Sequence, residues 1–259
     1  MRLLIFASLV LLAAMVTRAG PAVPATVKAE VAAIEESRSL LAEAIKKSAL
    51  DAGCWAYTQT VVTKDRLGNV KEEVVVRYDP SRPAGEQWTP LKIDGDEPTE
   101  QQVRKLRQDH EKRHQNRRAL GELLDFEKST VMEENATTIT YEVPLLSNDN
   151  QRLPPEKFRV TARVNKERRA FENVAVRLRE AWSVAFIVNL KSGEGDMDFA
   201  TVDPQYAPPI TALRAAGEGS VLFIKLGSSY SATRADFKRV QPWSEELPGK
   251  TAPLKFLDY

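Results

Sequence analysis

The sequence predicts an α+β protein: a strongly twisted antiparallel sheet or incomplete β-barrel, lidded by an N-terminal helix and a charged crossing helix. Three observations predict this class. Apolar residues recur at helical spacing over residues 26–50, residues 100–124 have a helical but mostly charged pattern, and alternation with a period of two dominates from residue 128 onward. Because successive strand side chains point to opposite sides, such alternation indicates a sheet with one covered side.

The first 19 residues have the pattern of a secretory signal peptide. A basic start at Arg2 precedes an apolar run from Leu3 to Val16, and a small residue, Ala19, ends the segment. This order is typical of a cleaved export signal. A membrane anchor is the alternative, but it needs about 20 apolar residues without an interruption such as Arg18. We therefore predict an exported periplasmic protein that does not span the membrane.

Charge and cysteine content narrow the possible functions. The 259-residue chain has a formal net charge of +1, which becomes −1 when residues 1–19 remove two arginines and no acid. This balance argues against a nucleic-acid partner. The single cysteine, Cys54, cannot form an internal disulfide, so stability must come from packing. We interpret Cys54 as a buried structural thiol rather than a nucleophile.

The first elements in the chain are one helix and a hairpin. Residues 20–25 are predicted to be a disordered leader, and a helix with one apolar stripe follows over residues 26–50. A strand begins near Cys54 and ends at a glycine turn over residues 65–69. Residues 70–78 then return as the second strand.

A third strand and the charged helix come next. The third strand is predicted at residues 88–93, before a turn. Thr99 and Gln102 have the spacing of a capping box, which predicts that the charged helix of residues 100–124 begins there. We expect this helix to fold over the sheet between two sets of strands.

From residue 128 onward the chain is predicted to form strands. Together with the elements before them they make up a single predicted domain over residues 26–242, and a proline-bearing tail follows at residues 243–259. The sequence KSGEGD is predicted to be a glycine turn, and residues 210–217 are ambiguous between a strand and a helical turn. The predicted strands are 128–134, 137–143, 157–165, 171–178, 182–190, 197–202, 219–227 and 228–240.

The order of these elements resembles the periplasmic lipoprotein carriers of the LolA type. The matching pieces are LLAEAIKKSALDAGCWAYTQTV at residues 40–61 and VNKERRAFENVAVRLREAWSVAFIVNL at residues 164–190. The resemblance implies an unclosed β-barrel in which helices lid an apolar hollow that receives acyl chains. It also implies that the partners are a hydrophobic ligand or a lipoprotein.

Aromatic and apolar residues at strand spacing are the candidates for lining such a hollow. Both faces of residues 181–190 are nearly apolar, which favours a strand covered on both sides. An ordinary apolar core is the alternative interpretation. The ligand-pocket candidates are Trp55, Tyr57, Trp88, Trp182, Val184, Phe186, Phe199 and Phe223.

One motif suggests metal chemistry. His110, Glu111 and His114 spell H-E-x-x-H in the charged helix, a spacing that lets two imidazoles hold one Zn²⁺ while the glutamate acts as a base. Here Lys112 and Arg113 fill the middle positions, and the two histidines are the only ones in the chain. We interpret the motif as a solvated helical face and predict neither a catalytic residue nor a metal or other cofactor.

Three functional hypotheses follow. The leading one is a non-enzymatic, exported binding protein that holds an apolar or amphipathic ligand, a lipid or lipoprotein acyl chain, in the concave face of the sheet. The alternatives are a zinc-dependent hydrolase that uses the motif at residues 110–114, and a non-catalytic interaction module of the cell envelope with a filled core.

Overall fold

The computed structural model describes most of the chain. The described residues are 25–51, 53–115, 123–146, 154–184, 188–221 and 224–243. The chain divides into two compact units, Met1–Glu36 and Ser37–Tyr259. In the first unit the described residues, 25–36, are helical. The sheet lies entirely in the second.

Two α-helices and eleven strands are found in the described residues. The helices are α1 (Ala25–Asp51) and α2 (Glu100–Gln115). The strands are β1 (Trp55–Asp65), β2 (Val70–Tyr78), β3 (Trp88–Ile93), β4 (Thr130–Glu134), β5 (Thr138–Glu142), β6 (Phe158–Asn165), β7 (Ala170–Leu178), β8 (Trp182–Val184), β9 (Val188–Phe199), β10 (Ile210–Val221) and β11 (Ile224–Arg239). No helix in this part of the chain combines the length and apolar character needed to cross a membrane.

All eleven strands belong to one antiparallel sheet. Its order is β3-β2-β1-β11-β10-β9-β7-β6-β5-β4, with β8 paired to β9 beside this path. The edge strands β3 and β4 do not pair with each other in the described residues, so the sheet is open. The predicted α+β class, an antiparallel sheet of the incomplete-barrel kind with two helices, is therefore confirmed.

One row of residues runs across eight strands and defines what we call the inner face of the sheet. Each member is the cross-strand partner of the next, so the side chains share one side. The row consists of Val74, Val61, Ala232, Leu213, Met197, Val174, Ala162 and Tyr141. Both helices cover this face, at opposite ends of the row.

The part of α1 from Ser37 onward fills the inner face over β5, β6 and β7. Leu40, Leu41 and Ala44 of the helix are buried among strand residues of this region. Full burial of a leucine side chain contributes about 1.5–3 kcal/mol. The strand residues of this core are Ile139, Tyr141, Val160, Ala162, Val164, Phe171 and Val174.

Several local predictions are confirmed. Strands β2 and β3 have the predicted bounds. The capping box forms: the backbone N–H of Thr99 donates to Oε1 of Gln102 at 2.8 Å, and the N–H of Gln102 donates to Oγ1 of Thr99 at 3.4 Å. The part of the predicted charged helix at residues 116–122 lies outside the described residues.

The prediction of a single strand over residues 182–190 is wrong. Strands β8 and β9 form a hairpin in which Trp182 is opposite Leu190 and Val184 is opposite Val188. The three connecting residues, 185–187, lie outside the described residues. Because a three-residue connection preserves even and odd positions, the alternation continues through the reversal and hides it.

The predicted glycine turn at residues 191–196 is also wrong, because β9 runs through this segment. Gly195 is opposite Val176 on one side and Ala215 on the other. A ladder on both sides of the strand outweighs the low strand preference of glycine. At Gly219 of β10 the backbones approach closely, since a Cβ there would lie 2.4 Å from the carbonyl oxygen of Asn189.

The prediction of a buried strand over residues 219–227 is wrong as well. The chain reverses inside it, with Val221 of β10 opposite Ile224 of β11. The sequence of the connection contains Leu222 and Phe223 instead of the Asn and Gly residues that mark two-residue hairpins, so it carries no turn signal. The ambiguous segment of residues 210–217 is part of strand β10.

Candidate functional site

The inner face is hollow at the end covered by α2. A cavity of about 550 Å³, which we call the α2 cavity, lies between this helix and strands β1, β2, β3, β10 and β11. Its volume falls within the range of about 300–1,000 Å³ typical of small-molecule sites. Its apolar lining consists of Val61, Val74, Val76, Trp88, Pro90, Leu106 and Leu213.

The composition of the two helices explains why one end of the face is filled and the other is not. Helix α1 places Leu40, Leu41 and Ala44 into the core. Helix α2 has only Val103 and Leu106 as apolar residues in a charged sequence, and of these Leu106 lines the cavity. A helix with so narrow an apolar stripe covers a sheet without filling the space beneath it.

Helix α2 is held against β3 by a contact between rings. The imidazole of His110 lies with its centroid 4.2 Å from that of Trp88. Both residues line the α2 cavity. The first histidine of the H-E-x-x-H motif therefore packs on the predicted pocket residue Trp88.

The floor of the cavity along β1 is apolar in the middle and polar at both ends. Val61 lies in the middle, and Gln59 and Thr63 lie two residues away on the same face. Gln59 is opposite Arg234, and Thr63 is opposite Glu72 on its other side. The two ends thus carry opposite charges, with the guanidinium at one end and the carboxylate at the other.

Arg234 is held in a defined position. Its Nε donates to Oε1 of Gln59 at 2.9 Å, and its guanidinium carbon lies 4.4 Å from the ring centroid of Tyr57. Gln59 is only 5% exposed, and among the described residues it is the only polar side chain that is buried. A buried amide is costly unless it is hydrogen-bonded, so this pair fixes the arginine.

Helix α2 contributes further charged groups to the lining. Arg107 and Asp109 carry opposite charges and are both partly buried. The Nε atom of Arg107 is buried and has no hydrogen-bond partner among the described residues. A buried polar atom of this kind is uncommon in a folded protein.

A row of aromatic rings extends from the cavity along the sheet. The successive centroid distances lie between 4.2 and 6.2 Å, within the range in which aromatic pairs attract each other. The row consists of Tyr206, Trp55, Phe237, Tyr57, Tyr78, Trp88 and His110. It brings together the predicted pocket residues Trp55, Tyr57 and Trp88.

The other predicted pocket residues are placed elsewhere. Phe199 packs against Phe171 at 5.7 Å and, with Trp55 and Tyr57, lines a smaller cavity of about 70 Å³. Trp182 is partly buried in β8. The side chain of Val184, and Phe186 and Phe223 entirely, lie outside the described residues.

The side chains of Glu111 and His114 also lie outside the described residues, so the geometry of the H-E-x-x-H motif is known only at His110. No cluster of three or more His, Cys, Asp or Glu side chains suited to a metal ion occurs within the described ranges. The Cys54 thiol is partly exposed, less buried than expected, and its Sγ lies 3.9 Å from the carbonyl oxygen of Leu50.

A more polar depression of about 740 Å³ lies where the last residues of β1 and β7 come near β9, β10 and β11. Its lining is dominated by charged, glycine and serine residues, among them Arg66, Arg177, Glu180 and Gly217. It offers little apolar surface, so the α2 cavity is the better candidate for an apolar ligand.

Sequence reasoning missed most of the cavity lining. Val61, Val74 and Val76 alternate on two correctly predicted strands, and Leu106 belongs to the apolar stripe of α2, so a local signal existed for these four. Leu213 and Arg234 had no such signal, because they join the cavity only through the pairing of β10 and β11 with β1.

The fold and the cavity together define an open antiparallel sheet with an apolar hollow of ligand size under a helix. Comparisons with protein-family models and with curated protein sequences find no match. Among solved structures, the chain is similar to the crystal structure of a LolA superfamily protein from Nitrosomonas europaea. The identity is 10% and the TM-score 0.40, over 80% of this chain and 94% of that chain. This is a weak resemblance at the level of the fold.

Proposed function

We propose that the protein is an exported, non-enzymatic binding protein that holds an apolar or amphipathic ligand in the α2 cavity. The observation that carries this proposal is the contrast between the two ends of the inner face, one filled by α1 and the other hollow under α2. Export rests on the predicted signal peptide at residues 1–19.

The α2 cavity has the two properties that such a ligand requires. Its floor is a continuous apolar surface formed by Val61, Val74 and Leu213, which shields a hydrocarbon chain from water. Its ends and its helical side carry polar groups, which suits a ligand with one polar end. A lipid or a lipoprotein acyl chain has this character.

The first experiment is a native mass spectrum of the protein purified from a periplasmic extract without detergent or chelator. We expect excess mass that dissociates as an acyl-bearing species. A bare polypeptide mass would contradict the proposal, and a single tightly bound zinc ion in place of lipid would favour the hydrolase alternative.

A matched pair of variants tests whether the α2 cavity is the site. Leu213→Trp adds bulk to the cavity floor, whereas Leu91→Trp makes the same change at a residue that is 43% exposed and outside the lining. We expect Leu213→Trp to lose the bound lipid and the binding of the neutral probe N-phenyl-1-naphthylamine, because the added ring occupies the hollow.

Leu91→Trp should bind the probe as the unmodified protein does. Both variants must remain folded, as judged by circular dichroism and thermal unfolding. Equal probe binding by the two variants would show that the ligand occupies another part of the molecule.

A further inference from the structure

We propose that four strand ends form an amphipathic arm, which docks the protein on the surface of a bilayer that contains anionic phospholipid. The inference names the surface at which the ligand is exchanged, and it rests on the proposed function only for that role. The arm consists of residues 182–184 of β8, 188–192 of β9, 219–221 of β10 and 224–227 of β11.

The arm extends beyond the strands on both of its sides. Strand β1 pairs with β11 as far as Asp65, which is opposite Ser228, and β7 pairs with β9 as far as Arg177, which is opposite Glu194. Past these pairs, and within the part of the chain that the structure describes, the four strand ends pair only with one another. No described residue of the arm belongs to the buried core or to the lining of the α2 cavity.

The register of the arm separates its residues by polarity. Each row of paired residues crosses all four strands, and successive rows lie on opposite sides of a sheet. One side carries two rows, Val184, Val188, Val221 and Ile224, and Trp182, Leu190, Gly219 and Leu226, and the row between them on the other side is Ser183, Asn189, Ser220 and Lys225. The arm therefore has one side of apolar residues and glycine and one polar side.

The apolar side of the arm continues the inner face of the sheet. Strands β10 and β11 pair without a shift in register from Leu213, opposite Ala232, to Val221, opposite Ile224. An even number of residues separates Leu213 from Val221, so both lie on the same side of β10. The inner face thus leads from the α2 cavity, which Leu213 lines, to the apolar side of the arm.

The charges of the arm favour an anionic surface as its partner. Lys191 and Lys225 are its only charged residues. Three carboxylates border the arm in the sequence, and of these Glu180 and Glu194 form ion pairs, which leaves Glu218 against the two lysines. Each lysine near an anionic bilayer surface strengthens binding roughly fivefold.

The apolar side of the arm and its edges favour the interface of a bilayer over its interior. Trp182 and Leu190 are both partly accessible to solvent. An apolar side with tryptophan and a polar side with lysine are typical of elements that lie in the bilayer interface, where tryptophan is enriched. The edge strands of the arm leave backbone groups without strand partners in the described residues, and such groups are costly in hydrocarbon. The arm therefore docks on the surface and does not span the bilayer.

The test measures flotation of the protein with vesicles of phosphatidylcholine alone or mixed with phosphatidylglycerol. Protein from a periplasmic extract is used, because the apolar run of residues 3–16 would itself bind vesicles if it were retained. We expect the protein to bind the mixed vesicles, and to bind phosphatidylcholine alone roughly tenfold or more weakly, because the attraction of the lysines is lost.

A triple variant tests the apolar side of the arm. Val184→Thr, Val188→Thr and Val221→Thr together replace three methyl groups by hydroxyls and keep the strand preference of β-branched residues. Binding to the mixed vesicles should fall roughly tenfold or more, because less apolar surface enters the interface.

The same exchange elsewhere is the matched control. Val70, Val131 and Val202 are 57%, 46% and 42% exposed and lie outside the arm. Their replacement by threonine should leave the affinity for vesicles within about twofold of that of the unmodified protein, because these residues do not dock on the bilayer.

A lysine pair tests the charge and remains informative if the threonine variant of the arm does not fold. Lys191→Gln with Lys225→Gln should weaken binding to the mixed vesicles roughly 25-fold, about fivefold for each lysine, and leave binding to phosphatidylcholine unchanged. Lys92→Gln with Lys238→Gln is the control, since both lysines are exposed and lie outside the arm.

A parallel titration with N-phenyl-1-naphthylamine separates docking from the proposed function. All variants should bind the probe as the unmodified protein does, because none of the substituted residues lines the α2 cavity. If the unmodified protein binds neither kind of vesicle, or if the arm variants bind as well as their controls, docking on a bilayer is overturned and a protein partner explains the arm better. If the arm binds vesicles but the probe does not bind, the proposed function fails and docking stands without the role in exchange.

Discussion

Tyr141 joins α1 to the sheet through a single buried hydroxyl. The side chain is 1% exposed, and its hydroxyl donates a hydrogen bond to the carbonyl oxygen of Ser37 at 2.7 Å. Burial raises the pKa of Tyr141 above its ordinary value near 10. The stability of the core therefore decreases at alkaline pH, where the Tyr141 hydroxyl ionises.

We predict that Tyr141→Phe lowers the free energy of unfolding by about 1–3 kcal/mol at neutral pH, because the hydrogen bond to Ser37 is lost. In the unmodified protein the contribution of the raised pKa is fully present below pH 10. It is lost as the pH rises through the folded-state value, since the unfolded tyrosine ionises first. The variant should therefore lose less stability between pH 9 and pH 11, as measured by urea unfolding.

Tyr230→Phe is the control for this prediction. Tyr230 is 36% exposed, so loss of its hydroxyl should change the free energy of unfolding by no more than about 0.5 kcal/mol. Equal effects of the two substitutions would show that the Tyr141 hydroxyl does not fix α1 to the sheet.

At single residues, the face of a strand can be predicted from the sequence, but a contact between distant strands cannot. Alternation places Trp55, Tyr57 and Gln59 on one face of the first strand, which the structure confirms. The partner of Gln59, however, is Arg234, which lies 175 residues later in the chain. No local pattern connects two side chains at that separation, so this contact could not be predicted.

At the scale of elements, α2 depends on its capping box because little apolar burial holds it. We predict that Thr99→Ala destabilises the start of this helix by about 1 kcal/mol, since its orphan backbone N–H groups lose a side-chain acceptor. Hydrogen exchange should be faster at the amide of Val103, which bonds to the Thr99 carbonyl oxygen at 2.9 Å.

Thr99→Ser retains the hydroxyl and serves as the control, with exchange close to that of the unmodified protein. The release rate of bound N-phenyl-1-naphthylamine should rise in Thr99→Ala alone, because α2 forms one side of the cavity. Unchanged exchange at Val103 in the alanine variant would show that contacts with β3 hold the helix start.

The wrong predictions of secondary structure have one physical cause. The sequence of residues 182–190 alternates across the paired strands β8 and β9, and the two residues between β10 and β11 in the sequence are apolar. In both cases the strands pair although the sequence between them has no residues typical of a tight turn, so pairing with the neighbouring strands outweighs the local signal. The strand β9 likewise retains two glycines in its interior because it is paired on both sides.

At the scale of the whole molecule, the α2 cavity depends on the pairing of β1 with β11. This pairing joins the first three strands of the sequence to the last two. Residues from both groups of strands therefore line the floor of the cavity. Binding at such a site stabilises the complete sheet rather than one hairpin, because a ligand that binds only the folded state shifts the unfolding equilibrium.

We predict that saturation with N-phenyl-1-naphthylamine raises the melting temperature of the protein. At a free concentration one hundred times the dissociation constant, the gain is about 2.7 kcal/mol, which corresponds to roughly 5–10 °C for a domain of this size. Differential scanning calorimetry measures the shift. Leu213→Trp should show none, and a similar shift in that variant would place the probe outside the cavity.

The sequence by itself determined the class of fold, the hairpin of β1 and β2, the bounds of β3 and the capped start of α2. These features depend on residue spacing and on contacts within a few positions. The tertiary structure alone decided the order of the strands, the pairing of β8 with β9 and of β10 with β11, and the pairing of Gln59 with Arg234. It also decided which end of the inner face is hollow, because that depends on how much apolar volume each helix places against a sheet assembled from distant strands.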